Sequence, residues 1–400
     1  MKIIVAHPDK QYVAGLLEGL AKKGWLEAYY SQFISNKLPN ISFGGKIDKF
    51  LRKRRYDDAL IPKSKLRHMG LRYVISKILN LLFGSEKDYP TMYKTYDSWV
   101  AKKISRVKYD IFLSYENANL CTFKAAKRAN KVTVLDLAQV HQDDVLRIMS
   151  EVWSEDKIYL ERAVVNPYKA RALEYTDYVI TLSSFARQTM LDKGWREDQT
   201  YTVNLGINPS LFYSDEEKKI KNKAFTFLFV GSMMLRKGVE DLLLTWMEIR
   251  KHINARLVFV GPMADAEALI KTHLGYIEYY PFMHHEDLAN MYRSADVYVL
   301  PSLLDSWAQT VVEAMACGTA AVVSDHTGAK DAVAKGGGWV IPAGDRVALK
   351  NQLVYCYENQ NEVVTKSAAA AVIAKEYTWS NYHQQIAEIF NDIARKEKIS

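Results

Sequence analysis

The chain of 400 residues is long enough for two or three domains, and a composition of 48% hydrophobic and 25% charged residues with 10 Pro and 19 Gly excludes collagen-like, low-complexity and wholly disordered classes. No charge-free apolar run reaches the roughly 18–20 residues of a spanning helix, and three scattered cysteines outside any CxxC pattern argue against a disulfide framework or a zinc site, so a cytoplasmic setting is expected. The net charge of +8 raises nucleic acid, anionic lipid and phosphorylated small molecules together as partners.

In chain order, MKIIVAHPDK has no secretory signature and predicts a first buried strand at Ile3–Ala6. Residues 46–77 hold eleven basic and three acidic side chains, a local excess of +8, so the rest of the chain is close to neutral. Within them Leu66–Phe83 predicts an amphipathic helix with Leu71, Val74, Ile75, Ile78, Leu79 and Leu82 on one stripe. Such a basic helical segment, about 46–84, fits either a solvated core-facing helix or the anionic inner face of a cell membrane. No nucleic-acid recognition motif accompanies it.

Further strands are expected at 111–115, 132–137, 178–182 and 201–204, then at 225–230, 256–260, 277–280, 297–300, 320–324 and 339–341. Strands alternating with helical stretches imply parallel sheets covered on both faces, an α/β architecture of two Rossmann-like domains. The polar run Asn208–Lys223 divides them, giving expected boundaries of 1–207, a linker at 208–221, and 222–380. A terminal helix over 381–400 is expected to pack back on the first domain.

Chemistry concentrates at Ala295–Asp325. A strand ends at Leu300, and a helix is expected to begin near Ser306 and to stop before Gly318. Free amides at Ser306, Trp307 and Ala308 suit phosphate oxygens, because a helix amino end carries about half a positive charge. Glu313, two turns on, suits ribose hydroxyls, and Asp305 stands at the helix mouth. Earlier, the strand Phe225–Val230 runs into Gly231 and Ser232, followed by Arg236 and Lys237, cations suited to a diphosphate whose negative charge grows as it departs. His141, just past the strand Val132–Leu137, is placed to face an interdomain cleft. Adjacent His284 and His285 do not have metal-ligand spacing.

Pro301, Ser302, Glu313, Ala314, Met315, Ala316 and Gly318 resemble the signature of the retaining GT-B glycosyltransferases of family 4, with Asp305 where that family has its first Glu and Ala308 in place of a common Gly. Gly231, Ser232, Arg236, Lys237 and Gly238 resemble its strand, glycine turn and basic pair. The likeness is strong from about 170 to 345. It implies a GT-B fold of two Rossmann-like domains facing each other across a deep cleft, and retaining transfer from a nucleotide-sugar donor to a carbohydrate or lipid-linked acceptor. By the same resemblance Arg236, Lys237, Asp305 and His141 are catalytic, while Gly231, Ser232, Ser306, Trp307, Ala308 and Glu313 hold the nucleotide sugar. With fixed cations on the diphosphate, no cofactor and no metal are expected. An epimerase of the same fold and a nucleotide-sugar-binding protein without turnover are the alternatives left open.

Overall fold

In a computed structural model the described residues are 1–10, 12–37, 51, 54–70, 73, 89–215 and 224–399. Among them thirteen strands form two wholly parallel sheets. The first contains β1 (Ile3–Ala6), β2 (Leu26–Ser31), β3 (Leu66–His68), β4 (Ile111–Tyr115), β5 (Val132–Leu137), β6 (Tyr178–Thr181) and β7 (Thr200–Thr202), in the spatial order β3-β2-β1-β4-β5-β6-β7. The second contains β8 (Phe225–Val230), β9 (Ala255–Val260), β10 (Glu278–Tyr280), β11 (Val297–Leu300), β12 (Ala320–Ser324) and β13 (Gly338–Ile341), in the order β10-β9-β8-β11-β12-β13. Both are built from β-branched and aromatic runs whose central strands are buried throughout, as a sheet with helices on both faces requires.

Two strands lie outside the sequence expectation. In β2, Leu26 and the Ala28–Ser31 run are buried, while Glu27 points outward to Lys2 and Lys65 and breaks the apolar signal. β3 has only three residues and pairs through Tyr29 with Leu66 and Ser31 with His68. It corrects the helix expected over Leu66–Phe83: residues 66–68 are extended and Gly70 turns at φ +65°. Of the remainder, residues 71, 72 and 74–83 lie outside the described residues, as do 216–223 of the expected linker.

Between the domains the chain crosses twice, side by side. Ile207 forms a parallel bridge with Thr378, and its N–H donates to the Tyr377 carbonyl over 2.9 Å. Beyond Ile207, Phe212 already stacks edge-on against Tyr292 and the Tyr213 carbonyl accepts from Arg293. Beyond Thr378, which caps its amino end, the helix Trp379–Lys396 lies on the first domain. His383 meets the Gly15 carbonyl at 2.9 Å, and the Tyr201 hydroxyl donates to Asp392 over 2.6 Å. Covalent crossings and strap thus form one pivot.

Candidate active site

In each sheet the strand order reverses beside the first strand, between β1 and β4 and between β8 and β11, and a crevice opens at such a switch point beyond the carboxyl ends of the strands. In the second domain both motifs found in the sequence empty into that crevice. β8 delivers Gly231, Ser232 and a short turn of helix at Leu235–Lys237, and β11 delivers Pro301–Asp305.

The two loops are locked together. The Leu303 and Leu304 N–H groups donate to the Arg236 carbonyl, and the Arg236 guanidinium donates back to the Leu304 carbonyl over 2.6 Å. Lys237 Nζ lies 3.3 Å from Asp305 Oδ2, both side chains mostly buried. Gly231, at φ +145°, makes room for that lysine: a Cβ there would stand 3.3 Å from Nζ. Ser232 is partly exposed on the same turn. Asp305 also accepts from the Trp307 N–H at 3.3 Å, and its main chain pairs with His326 and Gly328. Burial alone would raise the Asp305 carboxyl, but Lys237, Arg236 and these hydrogen bonds together hold it below its usual value, so it stays ionised beside the lysine.

The helix bearing Glu313 runs from Gln309 to Ala316, so it begins three residues later than expected. Ser306 and Trp307 form a turn ahead of it. Trp307 is 2% exposed with its ring 5.5 Å from Tyr377, so its side chain belongs to the core and its amide to Asp305. Ser306 is also buried, and its hydroxyl donates to the Ala138 carbonyl of the first domain. Ala308 caps the helix at φ +62°, a left-handed conformation that costs an L-residue roughly 1–2 kcal/mol. The common Gly of the resemblance would adopt it freely. First-turn amides of Gln309 and Thr310 have no partner within the helix and point into the crevice's mouth, as helix geometry dictates. Glu313, one to two turns on, accepts from the Tyr292 hydroxyl at 3.1 Å, and burial pushes its carboxyl up to about 7 against that bond.

Opposing this site is the first domain's β5–Gln142 loop. Val140 clusters with Ala186 and Leu304 across the cleft, Phe185 stacks on His326, and the Gln309 amide donates to the Gly206 carbonyl over 2.7 Å. His141, one residue on, is 6% exposed. Its Nδ1 accepts from the Asp143 N–H at 3.3 Å, capping the helix Gln142–Met149, and burial lowers its pKa so that the ring is neutral. Tyr292 and the partners of the cleft loops were not legible in the sequence. Asp136 was: a carboxylate inside the otherwise apolar and Thr-bearing β5 is a signal, and it receives the Tyr12 hydroxyl at 2.9 Å while burial raises it to about 7. Among the described residues no three His, Cys, Asp or Glu side chains gather as a metal site would need, and no helix is long and apolar enough to cross a membrane.

Residues 213–376 match the family described as glycosyl transferases group 1. An uncharacterized glycosyltransferase of Methanocaldococcus jannaschii is 28% identical over 208 residues, half of each chain. The phosphatidyl-myo-inositol mannosyltransferase of Mycobacterium leprae is 33% identical over 176 residues, 42% of this chain and 47% of that one. The chain thus spans about half the length of the curated relatives it matches. In three dimensions it superposes on sucrose-phosphate synthase of Thermosynechococcus elongatus with a TM-score of 0.71 at 16% identity, over 99% of this chain and 100% of that one. On Anabaena Alr3699/HepE in complex with UDP and glucose the TM-score is 0.66 at 16% identity, over 98% and 99%. Two parallel-sheet domains meeting across a cleft, joined at one pivot, are the GT-B fold, and with its second domain matched along nearly its whole length the chain belongs to the glycosyl transferases group 1 family.

Proposed function

We propose that the chain is a retaining glycosyltransferase that moves a sugar from a nucleoside diphosphate sugar to a hydroxyl of a glycan or glycolipid acceptor. The observation that carries this reading is the union of Arg236 and Lys237 with the Asp305 turn, at the switch point of the second sheet and beside the amino end of the Glu313 helix. Lys237 and Arg236 are cations fixed before the donor arrives, so they stabilise the charge that develops on the departing diphosphate without reorganising. Asp305 acts through Lys237, holding it at the crevice. Gln309 and Thr310 amides add donors for phosphate oxygens, and Glu313 accepts from the ribose.

During transfer the bond from the anomeric carbon to the diphosphate oxygen breaks, the acceptor oxygen bonds to that carbon on the same face, and the acceptor proton passes to the departing phosphate. Cations supplied by the chain make a metal unnecessary in this scheme. Closure about the Ile207–Thr378 pivot excludes water from the donor. The Anabaena neighbour, described in complex with UDP and with UDP-glucose, supports a donor of this chemistry.

A thermal-shift screen of UDP, GDP, dTDP and ADP tests the reading, because a ligand that binds the native state alone raises its stability. At least one nucleotide should raise the melting temperature of the wild type and do so much less in Lys237→Ala. Indifference to all four nucleotides and their sugars would refute donor binding.

A further inference from the structure

Among the described residues thirteen buried side-chain nitrogen or oxygen atoms have no hydrogen-bond partner. Eight belong to residues at or just beyond the carboxyl ends of the first four central strands of the amino-terminal sheet: His7, Gln32, Glu116, Asn117, Asn119, Asp136 and Gln139, with Gln32 counted at both amide atoms. An unpaired buried polar atom costs roughly 1–3 kcal/mol, so their concentration at one sheet edge calls for a ligand. A cavity of about 300 Å³ opens there, lined on its polar side by Glu116, Asn117, Asn119, His141, Gln142 and Lys169. It lies beside the β1–β4 switch point, where a parallel sheet opens its crevice. Its rim is His141, whose neighbour Val140 packs on Leu304 of the second domain.

Asn119 makes the ligand's chemistry legible. It occupies the amino cap of the helix Leu120–Arg128, where an Asn ordinarily accepts from the amides of the first turn, yet its side chain makes no capping bond. Asp97 does that work from the neighbouring helix, accepting from the Cys121 N–H at 2.6 Å and the Thr122 N–H at 2.9 Å. The Asn119 side chain, in a residue 2% exposed, is thereby left to the cavity with Oδ1 unpartnered. Its unpartnered companions there are also acceptors, Asn117 Oδ1 and Glu116 Oε1. Lys169 is the one cation among the lining residues, and its Nζ is divided between Glu116 at 3.8 Å and Glu161 at 3.6 Å. Acceptors without partners want hydroxyl donors, and two carboxylates around one lysine leave no net positive charge for a phosphate.

Resting on the transfer reading for its place in the reaction, we propose that this cavity is the acceptor subsite and that it takes an uncharged sugar or polyol and rejects a phosphorylated one. The test is direct binding to the full chain, by ligand-observed NMR, of methyl glucoside, methyl mannoside, methyl galactoside and myo-inositol against glucose 6-phosphate, mannose 6-phosphate and inositol 1-phosphate. At least one neutral probe should bind, about tenfold more tightly than its phosphorylated counterpart, and Asn119→Ala should weaken it by about tenfold, the loss of one buried hydrogen bond. Glu116→Gln should weaken the neutral probe and, by freeing Lys169, strengthen the phosphorylated one. That reversal is not the signature of a variant that folds poorly. Binding by no neutral probe, equal or tighter binding of a phosphorylated one to the wild type, or indifference to both substitutions overturns the assignment. The UDP response of the same samples separates the two readings: UDP binding without glycoside binding removes the acceptor class alone, and glycoside binding without any nucleotide response removes sugar transfer while the preference for uncharged ligands stands.

Discussion

Lys237 is the residue on which the chemistry turns, held at the crevice by Asp305 and given room by Gly231. Replacing it by Ala removes a preorganised donor and should cost roughly 2–4 kcal/mol in kcat/KM, checked by steady-state nucleotide release. An unchanged value would remove Lys237 from the reaction. Glu313 gives a prediction with a sign. Its carboxyl, raised by burial to about 7, binds a proton in the folded state that the unfolded chain has already released above its ordinary value of 4.5. Stability from this group therefore falls as pH rises between those two values. Glu313→Gln abolishes the penalty, so the variant should melt near the wild type at about pH 5 and above it at about pH 8, by on the order of 1–3 kcal/mol, while binding nucleotide more weakly. Parallel melting curves across that range would refute the buried-carboxyl account. A residue that burial destabilises and that the fold keeps is one that a ligand uses.

At the scale of elements the pivot matters most. Gly206 precedes the Ile207–Thr378 bridge and its carbonyl accepts the Gln309 amide, so three segments converge on it. A Cβ at Gly206 would lie 2.2 Å from the Trp379 main-chain nitrogen, too close for the two crossings to keep their separation. Gly206→Ala should therefore destabilise the chain by about 1–3 kcal/mol, the scale of an overpacked contact, read as a lower denaturation midpoint. An unshifted midpoint would show that the crossings can part freely. The helix amino end at Gln309 was offset from its sequence expectation because capping here is done by a strained Ala308 and not by Ser306, whose hydroxyl serves the first domain instead. Side-chain type made Ser306 the better cap, and a contact 168 residues away overruled it.

For the whole molecule, the charge excess lies within residues 46–77, on the domain proposed to hold the acceptor. If that segment meets a lipid-linked acceptor at its membrane, the full chain should sediment with vesicles containing phosphatidylserine, and less so as salt rises. Equal sedimentation with neutral vesicles would count against it.

The two parallel sheets, the division between them and the cluster of Arg236, Lys237, Asp305 and Glu313 in the second domain were legible in the amino-acid order, because strand runs, strand-end glycines and acid spacing are local patterns, short enough for chemistry to dictate them. β3 was not, since three residues in a basic stretch become a strand only by pairing with β2. Neither were the pairing of Lys237 with Asp305, the burial of Trp307, nor the unpartnered Asn119 behind Asp97. Each depends on which side chain, tens or hundreds of residues away, reaches a given hydrogen-bonding group first, and only the packed chain decides that competition.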